Sequence, residues 1–156
     1  MTTDFTETRP RAILLMGLPG AGKSTFCERK LAESGLVRIN LDTLRTRHRE
    51  RQLLQECLDK KVSFVVDNTN TLPQERSVYI QAAQQAGYTI EGYFLRSRVQ
   101  ECIEANARRA NAVPIAAITG MSARLVLPRK DEGFDALYFV SRSNGDFIIS
   151  PWQESL

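Results

Sequence analysis

Residues 11–25 read RAILLMGLPGAGKST, and they decide the fold. Gly17, four intervening residues and then Gly22-Lys23-Ser24 satisfy the spacing G-x-x-x-x-G-K-[ST]. Each residue type in that spacing has a physical job. Glycines let the backbone turn with its N–H groups inward and let phosphate oxygens approach it closely. Lys23 opens a helix whose amide dipoles already favour negative charge, and its ammonium can reach the β- and γ-phosphates. Ser24 offers a hydroxyl to Mg²⁺. The apolar run at 11–16 reads as a buried strand, and STFCERKLAES after the loop reads as an amphipathic helix closed by Gly35. Strand, loop and helix in that order are the context the motif requires. The expected ligand is a nucleoside triphosphate, held by Gly17, Leu18, Pro19, Gly20, Ala21, Gly22, Lys23, Ser24 and Thr25.

Working outward, further apolar stretches lie at 37–41 (VRINL), 62–67 (VSFVVD), 88–95 (YTIEGYFL) and 136–141 (ALYFVS). Helical patterns separate them, at about 23–34, 43–59, 73–86, 98–110 and 114–126. Such alternation predicts an α/β, three-layer fold: a mainly parallel five-stranded sheet with helices on both faces. After the fifth strand, Asn144-Gly145 is a hairpin signal, so SRSNGDFIIS is expected to add a short antiparallel strand at the sheet edge, with no catalytic role.

The whole chain is consistent with this. At 156 residues it suits one domain over 11–156, after a short flexible lead-in over 1–10. With 42% hydrophobic and 25% charged residues it belongs with soluble globular proteins, and no apolar run approaches membrane-spanning length. The start, MTTDFTETRP, is polar and acidic and lacks the pattern of a signal peptide. Cys27, Cys57 and Cys102 are odd in number and far apart, which suits reduced thiols in a cytoplasmic protein. A single histidine, His48, excludes a multi-histidine metal site. The net charge of +3 permits an anionic substrate but is not the strong basic footprint of a dedicated nucleic-acid binder.

Ligands of parallel sheets bind at the carboxyl ends of the strands, so the polar residues there are the site candidates. Asp42, at the second strand end, has two readings: the N-cap of a helix starting at Thr43, or a base that takes a proton from an attacking hydroxyl. The run RTRHRER (45–51) presents charge all round a helix and is read as exposed. Asp67 ends the most apolar strand, where a carboxylate orders Mg²⁺ or holds an arginine in place; the following Asn68-Thr69-Asn70 is turn chemistry at least. Arg96, Arg98, Arg108 and Arg109 bracket a helix that suits a mobile lid over phosphates.

These segments together resemble the P-loop kinases of the polynucleotide kinase type, from about Arg11 to Val140. The resemblance rests on GLPGAGKST, LDTLR, VVDNTN followed by Arg76, the lid segment ECIEANARRANAVP, and EGFDALYFV. It implies a P-loop NTPase fold with a helical lid, and ATP and Mg²⁺ held through Lys23 and Ser24. It also implies Asp42 as general base on a 5′-hydroxyl, Arg45 on the acceptor's 3′-phosphate, and Asp67 with Asn68 supporting the substrate side. The family's lid pattern R-N-x-x-R meets Ala105-Asn106-Ala107-Arg108-Arg109 here. Its second arginine is therefore Arg109, a catalytic candidate, while the first is missing and Arg108 stands nearby. Family members often carry a fused phosphatase or ligase domain, which is not expected within these 156 residues. The expected activity is an ATP-dependent kinase, with the 5′-hydroxyl of a nucleic acid or a nucleotide-like molecule as acceptor. Alternatives are a P-loop kinase of a small metabolite or antibiotic, and a non-catalytic ATP-binding module, against which the carboxylate of Asp42 argues.

Overall fold

The apolar run that precedes the glycine-rich loop becomes the centre of the sheet. In β1 (Arg11–Met16), Ala12, Leu14 and Met16 point to one face and Ile13 and Leu15 to the other, all buried. That two-residue period with both faces apolar is what a strand covered on both sides requires. The structure, a computed structural model, describes residues 9–32 and 35–154; the lead-in expected over 1–10 falls mostly outside them.

The remaining strands are β2 (Val37–Ile39), β3 (Phe64–Asp67), β4 (Thr89–Leu95), β5 (Ala136–Ser143) and β6 (Asp146–Pro151). They form one sheet in the order β2-β3-β1-β4-β5-β6. The first five run parallel, and β6 returns antiparallel to β5 through Asn144-Gly145, both with positive φ (52° and 78°). The expected five-stranded parallel sheet and its antiparallel edge strand are both present, so the full sheet has six strands.

Helices cover both faces. α1 (Lys23–Lys30) packs Phe26 and Cys27 against Ile13, Leu15 and Tyr93. On the other face, α3 (Arg47–Lys60) and α4 (Pro73–Gln85) bring Leu54, Cys57, Tyr79, Ile80 and Ala83 against Leu14, Phe64, Val66 and Ile90. A third small cluster of Leu18, Cys102 and Ile118 joins α5 (Val99–Ala107) and α6 (Ile115–Arg124) to the glycine-rich loop. Among the described residues, no helix is long and apolar enough to cross a membrane.

Three local expectations are corrected. The helix anticipated over 23–34 stops at Lys30, where the Leu31 N–H bonds the Cys27 carbonyl; residues 33–34 lie outside the described part. The helix anticipated over 43–59 is two helices, α2 (Leu41–Leu44) and α3, broken where Arg45 turns left-handed (φ 72°) and the Thr46 hydroxyl caps α3 by accepting from the Arg49 N–H at 3.2 Å. The N-cap of α2 is Asn40, whose side chain accepts from the Thr43 N–H at 2.9 Å, so Asp42 is not a cap but lies in the first turn.

Candidate active site

The glycine-rich loop is fixed from both sides before any ligand is considered. Gly17 donates its N–H to the Thr69 carbonyl (2.9 Å), and Leu18 donates to the Ser97 hydroxyl (3.0 Å). Gly20 (φ 88°) lies so close to the Cys102 carbonyl of α5 that any Cβ would collide with it. Lys23 is buried and its ammonium donates to the carbonyls of Gly17 and Leu18, both at 2.9 Å. Burial pulls its pKa from 10.5 down to about 8; the charge of Asp67 opposes this and that of Arg109 adds to it. A buried ammonium, its charged form disfavoured by lost hydration, gains from an arriving anion.

The end of β3 supplies the next layer. Asp67 is buried, and its Oδ2 accepts from the Ser24 hydroxyl at 3.2 Å and from Arg38 at 2.6 and 2.9 Å. Arg38, from β2, also donates to the Ser24 hydroxyl at 3.1 Å. Sequence reading left open whether Asp67 orders a metal or holds an arginine; it holds Arg38, which carried no motif signal. The same oxygens suit Mg²⁺, which keeps most of its waters and takes one or two protein oxygens beside substrate phosphates. Among the described residues there is no cluster of three His, Cys, Asp or Glu that could hold a metal ion; the Ser24 hydroxyl and the Asp67 carboxylate meet at 3.2 Å beside the loop.

Asn68, Thr69 and Asn70 are more than a turn. Asn68 accepts from the Leu41 N–H (2.9 Å) and donates to Glu50 (3.0 Å) and to the Tyr79 hydroxyl (3.3 Å). Glu50 also accepts hydrogen bonds from the Tyr79 hydroxyl and from Arg47 (3.0 Å), and burial with the neighbouring carboxylate raises the Tyr79 pKa. The reading of 45–51 as wholly exposed is therefore overturned at Glu50, which is buried because Arg47, Tyr79 and Asn68 satisfy its carboxylate. Asn70, in a left-handed conformation (φ 45°), donates to the Leu15 carbonyl at 2.8 Å.

Together these elements enclose a cleft of about 860 Å³. Pro19, Gly20, Gly22, Lys23, Ser24 and Thr25 line one end; Asn40, Leu41, Asp42, Asp67 and Asn68 line its floor. Asp42 is exposed into it, and among the described residues no hydrogen bond or ion pair engages its carboxylate. Arg109 reaches the cleft from the lid side, whereas Arg108 is an exposed C-cap outside it. Arg45 is exposed at the helix break and is not part of the lining; Arg47 and Arg51 of α3 are. Arg142 of β5 also lines the cleft, which sequence reading did not foresee.

The phosphate loop after β1, the unengaged carboxylate of Asp42 two strands away after β2, and Arg47, Arg51, Arg109 and Arg142 thus line one cleft. The family model described as "AAA domain" matches residues 13–53 and 48–128. This chain belongs to that family, as a P-loop kinase domain. It is 31% identical over 127 residues to a bifunctional polynucleotide phosphatase/kinase of Schizosaccharomyces pombe, covering 78% of this chain and 31% of that protein. An L-seryl-tRNA(Sec) kinase of Methanococcus maripaludis is 26% identical over 141 residues, covering 79% of this chain and 55% of that one. The chain thus spans about a third and about half of these two relatives. The crystal structure of a gluconokinase from Sinorhizobium meliloti shares the fold, with a TM-score of 0.59 at 18% identity, covering 85% of this chain and 83% of that one.

In this kinase domain the lid is tied down at its turn. Asn106 is buried and bonds Val113 twice, donating to its carbonyl (2.7 Å) and accepting from its N–H (3.1 Å). The Asn of the lid pattern therefore closes the loop that carries Arg109. Ala105, where the pattern has its first arginine, lines the cleft with a methyl group alone.

Proposed function

We propose that this chain transfers the γ-phosphate of ATP to a hydroxyl, with the 5′-hydroxyl of a polynucleotide or nucleotide-like molecule as acceptor. The observation that supports this most directly is Asp42: a carboxylate free of capping duty, opening into the same cleft as the buried Lys23. A pure nucleotide binder has no use for it. The acceptor oxygen bonds to the γ-phosphorus as the bond to the leaving ADP oxygen breaks, and the hydroxyl proton passes to Asp42. Lys23 releases the Gly17 and Leu18 carbonyls and turns its ammonium to the β- and γ-phosphates. Arg109 adds positive charge where negative charge builds up on the transferring group. Mg²⁺, held through Ser24 with Asp67 behind it, supplies charge neutralisation on the phosphate oxygens when bound. Asn68 keeps the Asp42 turn in place through the Leu41 N–H. Arg45, exposed three residues after the base and outside the cleft lining, is the arginine proposed for the acceptor's 3′-phosphate; Arg51 lines the cleft itself.

The test is transfer of labelled γ-phosphate, with Mg²⁺ present, to a 5′-hydroxyl oligonucleotide, a 3′-nucleotide and a bare nucleoside. The first two should be labelled, and the nucleoside more poorly, because it lacks the phosphate that would make a charge-assisted contact with Arg45. No transfer to any of the three, with nucleotide binding intact, would refute the polynucleotide reading and favour a small-metabolite acceptor.

A further inference from the structure

We infer that Arg142, on the β5–β6 hairpin, binds the donor nucleotide at the phosphates that remain with it after transfer. This rests on the reading that the phosphate loop holds a nucleoside triphosphate. Arg142 reaches the loop at its tightest point: a Cβ on Gly22 (φ 101°) would overlap the guanidinium, so the charge lies directly against the loop backbone. Among the described residues no carboxylate pairs with it, whereas two of the four carboxylates that line the main cleft, Glu50 and Asp67, are each engaged by another arginine. Arg142 is exposed, so water satisfies its guanidinium in the free protein, and a phosphate arriving at the loop would replace that water with a charge-assisted contact.

Its position is built, not incidental. Arg142 stands directly across the hairpin from Phe147, and the guanidinium carbon lies 4.7 Å from the centre of that ring. Phe147 is buried and packs edge-on against Phe26 of α1, with ring centres 5.3 Å apart. The hairpin is further tied to α1 by Arg29 on the Gly145 carbonyl (3.2 Å) and by Lys30 on Asp146 (3.2 Å). The helix that begins at the phosphate loop therefore fixes the hairpin, and the hairpin fixes Arg142. The two-residue turn locks the register, since a slip of one residue would carry Arg142 to the opposite face.

The side of the loop on which it acts follows from the cavities. Arg142 lines the main cleft and also a smaller one of about 80 Å³ on the far side of the loop, beside Gly20, Ala21, Val140 and Phe147. Asp42, Arg51 and the β2 and β3 ends line the main cleft and not the smaller one. The guanidinium thus sits on the donor's side, away from the acceptor. Arg96 and Glu101 also line the smaller cavity, but Glu101 is shared by Arg96 (3.9 Å) and Arg98 (3.5 Å), whereas Arg142 stands there without a carboxylate among the described residues.

Three measurements test this on the full chain: ADP and ATP affinity, and kcat at saturating ATP, for the wild type, Arg142→Gln and Arg142→Lys. Loss of one charge-assisted contact should weaken Arg142→Gln for both nucleotides alike, by about tenfold to a hundredfold. Any fall in its kcat at saturating ATP reads the part of the contact made only as charge grows on the leaving ADP, and the affinity loss is read separately from it. Arg142→Lys should recover part of the affinity, which a packing role for the side chain would not predict. Unchanged ADP affinity in Arg142→Gln overturns the proposal, whether or not kcat falls. A wild-type protein that binds no ADP would overturn the donor reading itself, and this proposal with it.

Discussion

Arg76 offers the sharpest test of what holds the site in shape. Its side chain is 1% exposed and makes four hydrogen bonds. Two go to Glu132 (2.8 and 3.1 Å), one to the Asn70 carbonyl (3.0 Å) and one to the Val126 carbonyl (3.1 Å). It thus joins the turn after β3, the chain leaving α6 and the segment before β5. Removing one partner of a buried pair leaves the other charge uncompensated, a loss of about 3–5 kcal/mol. Two carbonyls also lose a donor. Glu132 is 16% exposed and some water can reach it, which favours the lower end, so Arg76→Ala should lose about 3 kcal/mol. Arg76→Met with Glu132→Gln should recover part of the loss, since neither charge is then left alone. Equilibrium urea unfolding at neutral pH reads both values. A loss below about 1 kcal/mol in Arg76→Ala would refute the reasoning, as it would mean the guanidinium costs as much to bury as its partners return.

Two further outcomes concern the chemistry. Asp42→Asn should lower kcat by about 10²- to 10⁴-fold while nucleotide affinity holds; because Asn40 is the cap, urea unfolding should change by less than about 1 kcal/mol, and full activity would remove Asp42 as the base. Lys23 has a pKa of about 8 without nucleotide, and phosphate should raise it. Charged lysine in the free protein therefore falls from about nine-tenths to about one-tenth between pH 7 and 9, and the ADP dissociation constant should rise about tenfold. The affinity is present below pH 8 and lost as pH rises through it. Calorimetric titration at three pH values checks this, and a flat profile would contradict it.

Most of the fold was legible because hydrophobic period and glycine placement act locally. β1 was read to the residue, and Asn144-Gly145 announced the hairpin that follows. What escaped was decided by partners distant in sequence. Glu50 looked solvated inside an arginine-rich run, yet Tyr79, 29 residues on, makes its burial affordable. Arg38 looked like one strand arginine among many until Asp67 met it across β2 and β3. The break at Arg45 had a local cause, the Thr46 hydroxyl, that helix periodicity alone outweighed.

The site motifs divide by job in a way that sequence could not reveal. In EGFD, Glu132 pairs with Arg76, Phe134 packs against Gly92, which has no side chain, and Asp135 accepts from the Ile90 N–H at 2.8 Å. None of the three lines the cleft. In DNTN, Asp67 and Asn68 reach both the cleft and its supports, while the Asn70 side chain ties the turn to β1. A motif residue can therefore mark the reaction or the frame that positions it, and burial with satisfied bonds separates the two. Asp42 differs from these frame residues: it is exposed to the cleft and, among the described residues, its carboxylate is unengaged, as the proposed role of base requires. Arg76 and Glu132 belong to the frame, so their loss should appear first in unfolding and only through it in turnover.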